Sequence, residues 1–459
     1  MATYFFCGIG GIGMSSIALY LARTGNRVIG SDRSFDAKHN QSMRRTLEKA
    51  GISLSPQNGS GITPGIDTLV VSSAVEDSIP DIKRAKELNI PIRKRAQMLA
   101  DILHRYHGIA IAGTSGKTTI TAMVGHILYK NKLDPVMING GISNNAYHRE
   151  KPSNLIFGHG KHCVIEADES DGSIDLYTPD YAVVSNISLD HKPLDETRVL
   201  FESFLNRTKR GVVINADCPE TRKLHIRQAN IISFSTRGDK NATLYAENIK
   251  PARGGIRFDL NGVPVRIPLI GAYNVENALA AIGAGLLAGI PVADSVRALH
   301  TFRGTHRRME TIGAVRRITV IDDYAHNPEK IRATLTALQQ YPGDMFVIFQ
   351  PHGFAPTRLM KDELINMLQK TLGKRTTFIM PDIYYAGGTV AKDISSSDII
   401  KPLARAGRCA HYIPTRPEII RFLLPRVKSG ARIVVMGARD DTLTNFTRDI
   451  LNQIKRKKS

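Results

Sequence analysis

The segment Gly113-Thr-Ser-Gly-Lys-Thr-Thr119 combines residue types and spacing suited to holding a polyphosphate. Glycines at 113 and 116 let backbone N–H groups close around phosphate oxygens, and the helix expected to follow points its positive end at them. Lys117 adds a cation, and Thr118 and Thr119 add hydroxyls, of which Thr118 can ligate Mg²⁺. Only Thr114 and Ser115 separate the glycines, a shorter interval than in the full G-x-x-x-x-G-K-[ST] pattern. Gly113, Thr114, Ser115, Gly116, Lys117, Thr118 and Thr119 are therefore read as a nucleotide-phosphate loop.

A second glycine run, Gly8-Ile-Gly10-Gly11-Ile-Gly13, follows the apolar Thr3–Cys7 and precedes a helical pattern through Ala22 and a strand ending at Asp32. Strand, G-x-G-x-x-G, helix, strand, acid is the dinucleotide-fold fingerprint. In that setting the glycines admit a pyrophosphate to the helix start, and Asp32 can accept a hydrogen bond from a ribose or base. A third strand, 68–73, brings Ser72 and Ser73 to the same crevice. The alternative for the glycines is close packing of helix on strand.

Two further clusters end apolar runs, at Val164-Ile-Glu-Ala-Asp-Glu-Ser-Asp171 and Tyr181-Ala-Val-Val-Ser-Asn-Ile-Ser-Leu-Asp-His191. Charged groups at the C-terminal edge of a parallel sheet are where α/β proteins place ligands, so both clusters should converge on the phosphate loop. Magnesium takes hard oxygen donors, which Thr118 and Glu166 supply, with Glu169 as a further candidate. His191 suits a second divalent ion or, equally, a backbone partner. Asn274 and Asn277 at the head of an alanine-rich helix could read an adenine edge, although helix capping explains one of them as well. Further on, Arg307-Arg308, Asp322-Asp-Tyr-Ala-His-Asn-Pro328 and Gln350-Pro-His-Gly-Phe-Ala-Pro-Thr-Arg358 flank two more strands. Their acids, histidines and arginines would serve the nucleotide only if this segment closes over the middle one.

These sites require three α/β segments to position them: residues 1–104, 105–302 and 303–459. A length of 459 residues with 42% hydrophobic content accommodates about three domains. The alternation of strands and helices predicts a doubly wound sheet at each end and a phosphate-loop α/β sheet between them. Cys7, Cys163, Cys218 and Cys409 lack metal-site or disulfide spacing, so a reducing cytoplasm is expected. Neither a secretory leader nor an apolar run of spanning length is present, so no membrane insertion is expected. The net charge of +20 favours anionic ligands. The basic residues are dispersed, however, apart from the terminal Ile-Lys-Arg-Lys-Lys-Ser, which reads as a solvated tail, and tryptophan is absent. Nucleic-acid binding is therefore not expected.

Taken in order, Gly-Ile-Gly-Gly-Ile-Gly-Met, Gly-Thr-Ser-Gly-Lys-Thr-Thr, Glu-Ala-Asp-Glu-Ser-Asp-Gly-Ser, Ser-Asn-Ile-Ser-Leu-Asp-His, Asn-Val-Glu-Asn-Ala, Asp-Asp-Tyr-Ala-His-Asn-Pro and Phe-Gln-Pro-His resemble the Mur ligases of peptidoglycan assembly. Within that family they are most similar to the branch that joins L-alanine to UDP-N-acetylmuramate. The resemblance implies a three-domain architecture: a Rossmann-like N-terminal domain for the UDP sugar, a central ATP-binding domain, and a Rossmann-like C-terminal domain for the amino acid. It implies ATP and Mg²⁺ as cofactors and an acyl-phosphate route to an amide. By the same resemblance, Gly8, Gly10, Gly11, Gly13, Asp32, Ser72 and Ser73 fall at the UDP sugar. Asn274, Asn277, Arg307 and Asp323 join the phosphate loop at ATP, while Tyr324, His326, His352 and Arg358 line the amino acid. Lys117, Glu166, His191 and Arg308 are the expected catalytic group, with Thr118, Glu166 and His191 on metal.

The chain departs from that branch at Ser115, Ala272, Asn327, Gly353 and the stretch Lys192-Pro193. Gly353 stands where an arginine is expected and removes a candidate clamp for the amino acid's carboxylate. A paralogous ligase adding another amino acid, or recycling a murein peptide, is thus the alternative. A nicotinamide-dependent oxidoreductase would leave the phosphate loop and the 164–171 acids unexplained, and a noncatalytic UDP-sugar binder would account for fold and charge but predicts indifference to Mg²⁺ and ATP.

Overall fold

The computed structural model describes residues 1–72, 76–148, 153–169, 172–188, 193–252, 254–385, 391–438, 440 and 442–456. The chain folds into two compact units. One comprises Met1–Lys250, Arg257–Pro268 and Tyr273–Thr305, and the other Pro251–Ile256, Leu269–Ala272 and His306–Ser459.

The first unit holds two sheets. Strands β1 (Thr3–Cys7), β2 (Arg27–Ser31), β3 (Ser53–Ser55), β4 (Thr68–Val71) and β5 (Ile92–Lys94) form an all-parallel sheet in the order β3-β2-β1-β4-β5. The strand order reverses on the two sides of β1, which opens a crevice beyond the C-terminal ends of β1 and β4. The glycine run lies there. Strand β4 ends at Val71, so Ser72 follows the strand rather than ending it, and Ser73 lies outside the described residues.

The second sheet contains β6 (His107–Ala112), β7 (Val136–Ile138), β8 (Leu155–Ile156), β9 (His162–Glu166) and β10 (Tyr181–Val184). It continues through β11 (Gly211–Asn215), β12 (Ile231–Ser235), β13 (Leu244–Ala252), β14 (Gly255–Leu260) and β15 (Val263–Ile267). Strand β6 sits between β10 and β9 and is parallel to both. Residues 109–112, 163–165 and 182–184 are buried, as expected for strands covered on both faces. The loop after β6, the acid ending β9 and the segment after β10 therefore meet at one edge. Phe6, Ile17 and Leu99 around the first sheet share one apolar cluster with Ala110, Cys163 and Phe201 around the second. Asn154 adds a polar tie, its Nδ2 donating to Ile12 O at 2.6 Å.

In the second unit, β16 (Glu310–Val315), β17 (Ile318–Asp323), β18 (Met345–Phe349), β19 (Thr376–Met380), β20 (Ala410–Tyr412) and β21 (Arg432–Met436) form a sheet ordered β16-β17-β21-β18-β19-β20. Strand β16 is antiparallel to β17, and the other neighbours are parallel. Helices Pro328–Gln339 and Phe354–Thr371 connect the parallel strands, as right-handed crossovers require. Among the described residues no helix is long and apolar enough to cross a membrane.

Candidate active site

Helix Lys117–Lys130 begins immediately after Gly116, whose φ of +92° a side chain would strain. Space is also short, because a Cβ at Gly116 would lie 2.5 Å from Asn277 Oδ1, and one at Gly113 (φ +128°) would lie 2.2 Å from Ser185 Oγ. The loop is buttressed by the segment after β10. Thr114 N donates to Asn186 O at 3.0 Å, Ser115 N to Asn186 Oδ1 at 2.9 Å, and Ser188 N to Thr114 Oγ1 at 3.0 Å.

Lys117 Nζ donates to Gly113 O at 2.9 Å and to Glu169 Oε2 at 2.8 Å, with Asp168 Oδ1 at 3.9 Å. Glu169 therefore serves the lysine. Glu166 serves the other side, accepting from Thr118 Oγ1 at 3.2 Å and from Gly140 N at 2.8 Å. Two hard oxygen donors, the Thr118 hydroxyl and the Glu166 carboxylate, stand side by side at the helix start. That donor chemistry fits Mg²⁺. No group of three or more histidines, cysteines or carboxylates able to hold a metal forms among the described residues, and His191 lies outside them.

Asn274 and Asn277 are both buried on helix Tyr273–Leu287, and Asn277 Nδ2 donates to Asn274 Oδ1 at 3.0 Å. The Asn277 carboxamide thus lies against Gly116 of the phosphate loop, a placement that helix periodicity alone does not indicate. Between the two asparagines, Glu276 has its carboxyl pushed up to about 7 by burial and by the nearby Asp217 charge. Thr119 is buried in the first turn of the helix after the loop.

At the first sheet, Gly8 has φ +82° and Gly11 precedes helix Ile12–Arg23. Asp32 accepts from Gly10 N at 2.8 Å through Oδ2 and from Ser34 N at 2.8 Å through Oδ1, so its carboxylate braces the glycine turn. An added Cβ at Gly13 would lie 3.3 Å from Arg95 Nη1. Arg95, eighty-two positions further on in sequence, brings a cation to the crevice that no local motif reveals. Asn186 and Ser188 belong to the Ser-Asn-Ile-Ser-Leu-Asp-His stretch, and their support of the loop is likewise invisible in residue type alone.

The C-terminal edge of β17 differs. Arg307 is 6% exposed and donates through Nε to Asp322 Oδ1 at 3.2 Å and through Nη2 to Gly437 O at 2.6 Å. Its φ of +54° lies in the left-handed region. Arg307 is thus engaged within its own sheet edge, as a buried guanidinium requires. Arg308 lies over the Tyr324 ring at 4.9 Å and is the less buried of the two. Asp323 accepts from Ala325 N and from Thr334 Oγ1, each at 3.0 Å, and burial raises its carboxyl above the usual range. Tyr324, His326 and His352 come together as expected, with ring centroids 5.4 Å apart for the first pair and 5.9 Å for the second. His326 Nδ1 lies 2.9 Å from Tyr324 O, and burial lowers the ring's pKa to about 4, so it is neutral at pH 7. Arg358 is half-exposed and held by Asp393 and by Ala391 O.

A glycine loop, a lysine and a hydroxyl at a helix start, with an acid beside the hydroxyl on one of three α/β sheets, is the arrangement of a nucleotide-binding α/β protein. Three family models cover most of the chain: "Mur ligase family, catalytic domain" over residues 3–107, "Mur ligase middle domain" over 111–285 and "Mur ligase, glutamate ligase domain" over 307–439. The chain belongs to the Mur ligase family. It is 34% identical to a UDP-N-acetylmuramate–L-alanine ligase of Agathobacter rectalis, with 94% of each chain covered. It is 33% identical to that of Gloeobacter violaceus, with 94% of this chain and 92% of the relative covered. The crystal structure of UDP-N-acetylmuramate-alanine ligase MurC from Thermotoga maritima superposes with a TM-score of 0.81 at 28% identity, covering all of both chains. A murein peptide ligase from Psychrobacter arcticus shares the fold, with a TM-score of 0.69 at 22% identity over all of both chains.

Proposed function

We propose that this chain is an ATP-dependent ligase that joins L-alanine to UDP-N-acetylmuramate in peptidoglycan precursor synthesis. The observation that carries the reading is the phosphate loop, with Lys117 and the Thr118–Glu166 pair at one helix start. The substrate carboxylate attacks the γ-phosphorus, the bond to the bridging oxygen breaks, and ADP leaves. The amino acid's free amine then attacks the acyl-phosphate carbonyl, forming the amide, releasing phosphate and losing a proton. Phosphoryl transfer asks the protein for position and charge neutralisation, which the loop N–H groups and Lys117 supply once the triphosphate displaces Glu169. Thr118 and Glu166 would hold Mg²⁺, which when bound neutralises charge on the phosphate oxygens.

The UDP moiety is assigned to the Gly8–Gly13 turn, with Arg95 as an added phosphate partner and Asp32 holding the turn in shape. Tyr324, His326 and His352 are assigned to the amino acid, and Arg308 to the charge that develops on phosphate. The acyl phosphate must meet the amine before water does, so shielding is part of the task.

Gly353 and the engagement of Arg358 by Asp393 favour one further reading, a ligase with a different amino acid in the same chemistry. A phosphate-release screen of the twenty amino acids and small peptides, with UDP-N-acetylmuramate, ATP and Mg²⁺, separates the two. Release with L-alanine at least about tenfold above the others is the expected result. Release that prefers another amino acid or a peptide overturns the L-alanine assignment, and no release with any of them overturns the ligase reading.

A further inference from the structure

Lys455 and Arg456, at the start of the basic C-terminal run read from sequence as a solvated tail, end a helix that packs on the third sheet. The opposite edge of that sheet, at the N-terminal ends of the parallel strands, is built by turns 315–318, 340–344, 371–375, 405–409 and 424–431. Strand register sets these turns side by side. Thr319 pairs with Arg432, Arg432 with Met345, Met345 with Thr376, and Phe378 with Ala410. Backbone hydrogen bonds link them further, from Gly430 N to Arg317 O at 3.2 Å and from Met345 N to Arg375 O at 2.9 Å. Helix Leu443–Arg456 ends at the same edge, because Leu451 lies against Gly313 and Ile454 joins Ile318 and Val315 in one apolar cluster.

Turns 315–318, 371–375, 405–409 and 424–431 and the end of the helix each bring two lysines or arginines. The only acid in these segments and the 340–344 turn is Asp344, which Arg375 occupies at 3.0 Å. Arg316, Arg317 and Lys428 are exposed and form no ion pair among the described residues. Arg316 and Arg317 have φ of +50° and +63°, positions where a hairpin turn prefers Asn-Gly. Buried Arg432 stiffens the edge, donating to Pro342 O at 2.6 Å and Tyr341 O at 2.7 Å.

We propose that this edge docks on the headgroups of an anionic phospholipid bilayer, without insertion. Six strands spaced about 4.8 Å apart make the edge about 25 Å wide, and the helix end adds cations from a second layer. The array is therefore two-dimensional and matches a plane of charge. Single-stranded nucleic acid would need rings to stack on, whereas Phe422 lies under Arg426 at 4.0 Å and Tyr341 under Arg432 at 5.9 Å. Docking here leaves the Tyr324–His326 edge, at the far ends of the same strands, facing away from the lipid.

The test is co-sedimentation of the full chain with phosphatidylglycerol-rich vesicles and with phosphatidylcholine vesicles, alongside a duplex DNA mobility assay. Binding to the anionic vesicles alone is expected, and it should disappear at about 1 M salt, where the Debye length is about 3 Å. The triple variant Lys428→Glu, Lys455→Glu, Arg456→Glu should bind at least about tenfold more weakly, with ligase activity in solution unchanged. A control of equal charge change, Lys49→Glu, Lys83→Glu, Lys240→Glu, should bind within about twofold of the parent, since none of these residues belongs to this edge and net charge alone acts through screened attraction. Absence of binding to anionic vesicles, equal loss in both triple variants, or tighter binding to DNA than to vesicles overturns the proposal.

Discussion

The phosphate loop after β6 and the acid-rich edge after β17 both occupy the C-terminal ends of parallel strands, yet they use their charged residues differently. At the loop, Lys117 and Thr118 are held by Glu169 and Glu166 in contacts that an incoming triphosphate can replace. At the β17 edge, Arg307 and Asp322 are satisfied within the fold, and Asp322 is fully buried with Thr444 Oγ1 donating to it at 2.6 Å. On the proposed function, one edge holds its charges for a ligand, while the other uses part of them to build itself. Residue type alone therefore does not separate a ligand-binding group from a brace.

The largest expected effect sharpens that contrast. Arg307→Ala leaves Asp322 buried and unpaired and should lower stability by about 3–5 kcal/mol, measured by urea unfolding. Arg308→Ala should leave the unfolding midpoint nearly unchanged while lowering turnover. If Arg307→Ala instead kept full stability and lost ATP affinity, the two edges would be alike. Lys117→Ala should cut ATP-dependent ADP release about 100- to 1000-fold with UDP-sugar binding nearly intact. A parallel loss of stability would make the lysine a brace.

The pH dependence of stability compares one buried ring from each unit. His126 is held by Ala298 O at 3.1 Å and Thr301 Oγ1 at 3.0 Å, and burial lowers its pKa to about 4, as it does for His326. The unfolded chain takes up these protons first on acidification. Stability is thus fully present above pH 6.5 and is lost as pH falls toward 4, by about 3 kcal/mol per ring. His126→Gln and His326→Gln should each flatten that slope, and an unchanged slope would contradict the burial argument. The smallest effect is expected at the first sheet. Asp32→Ala should raise the UDP-sugar KM about tenfold by loosening the Gly10 turn, with the ATP KM unchanged.

The phosphate loop was legible because its groups are contiguous and the strand–turn–helix order dictates their geometry. The β9 acids and the β10 segment were legible as strand ends beside it. Arg95 was not, because it reaches Gly13 only through tertiary packing. The tasks of Asp32, Glu169 and Arg307 were not legible either, since a carboxylate or guanidinium looks the same in sequence whether it meets a ligand or a backbone N–H. The neighbouring arginines at 307 and 308 show the limit most plainly: both lie over the Tyr324 ring, yet only the first is buried against Asp322 and Gly437. The shared core of the first two sheets joins side chains such as Ile17 and Phe201 in one apolar cluster, which periodicity does not reveal.

Calorimetric titration of the full chain with ATP and Mg²⁺, repeated on Lys117→Ala, tests the central claim most directly. Saturable binding is expected for the parent chain, weakened at least about tenfold in the variant. No heat of binding in the parent, or equal affinity in both, would contradict the placement of the triphosphate at residues 113–119.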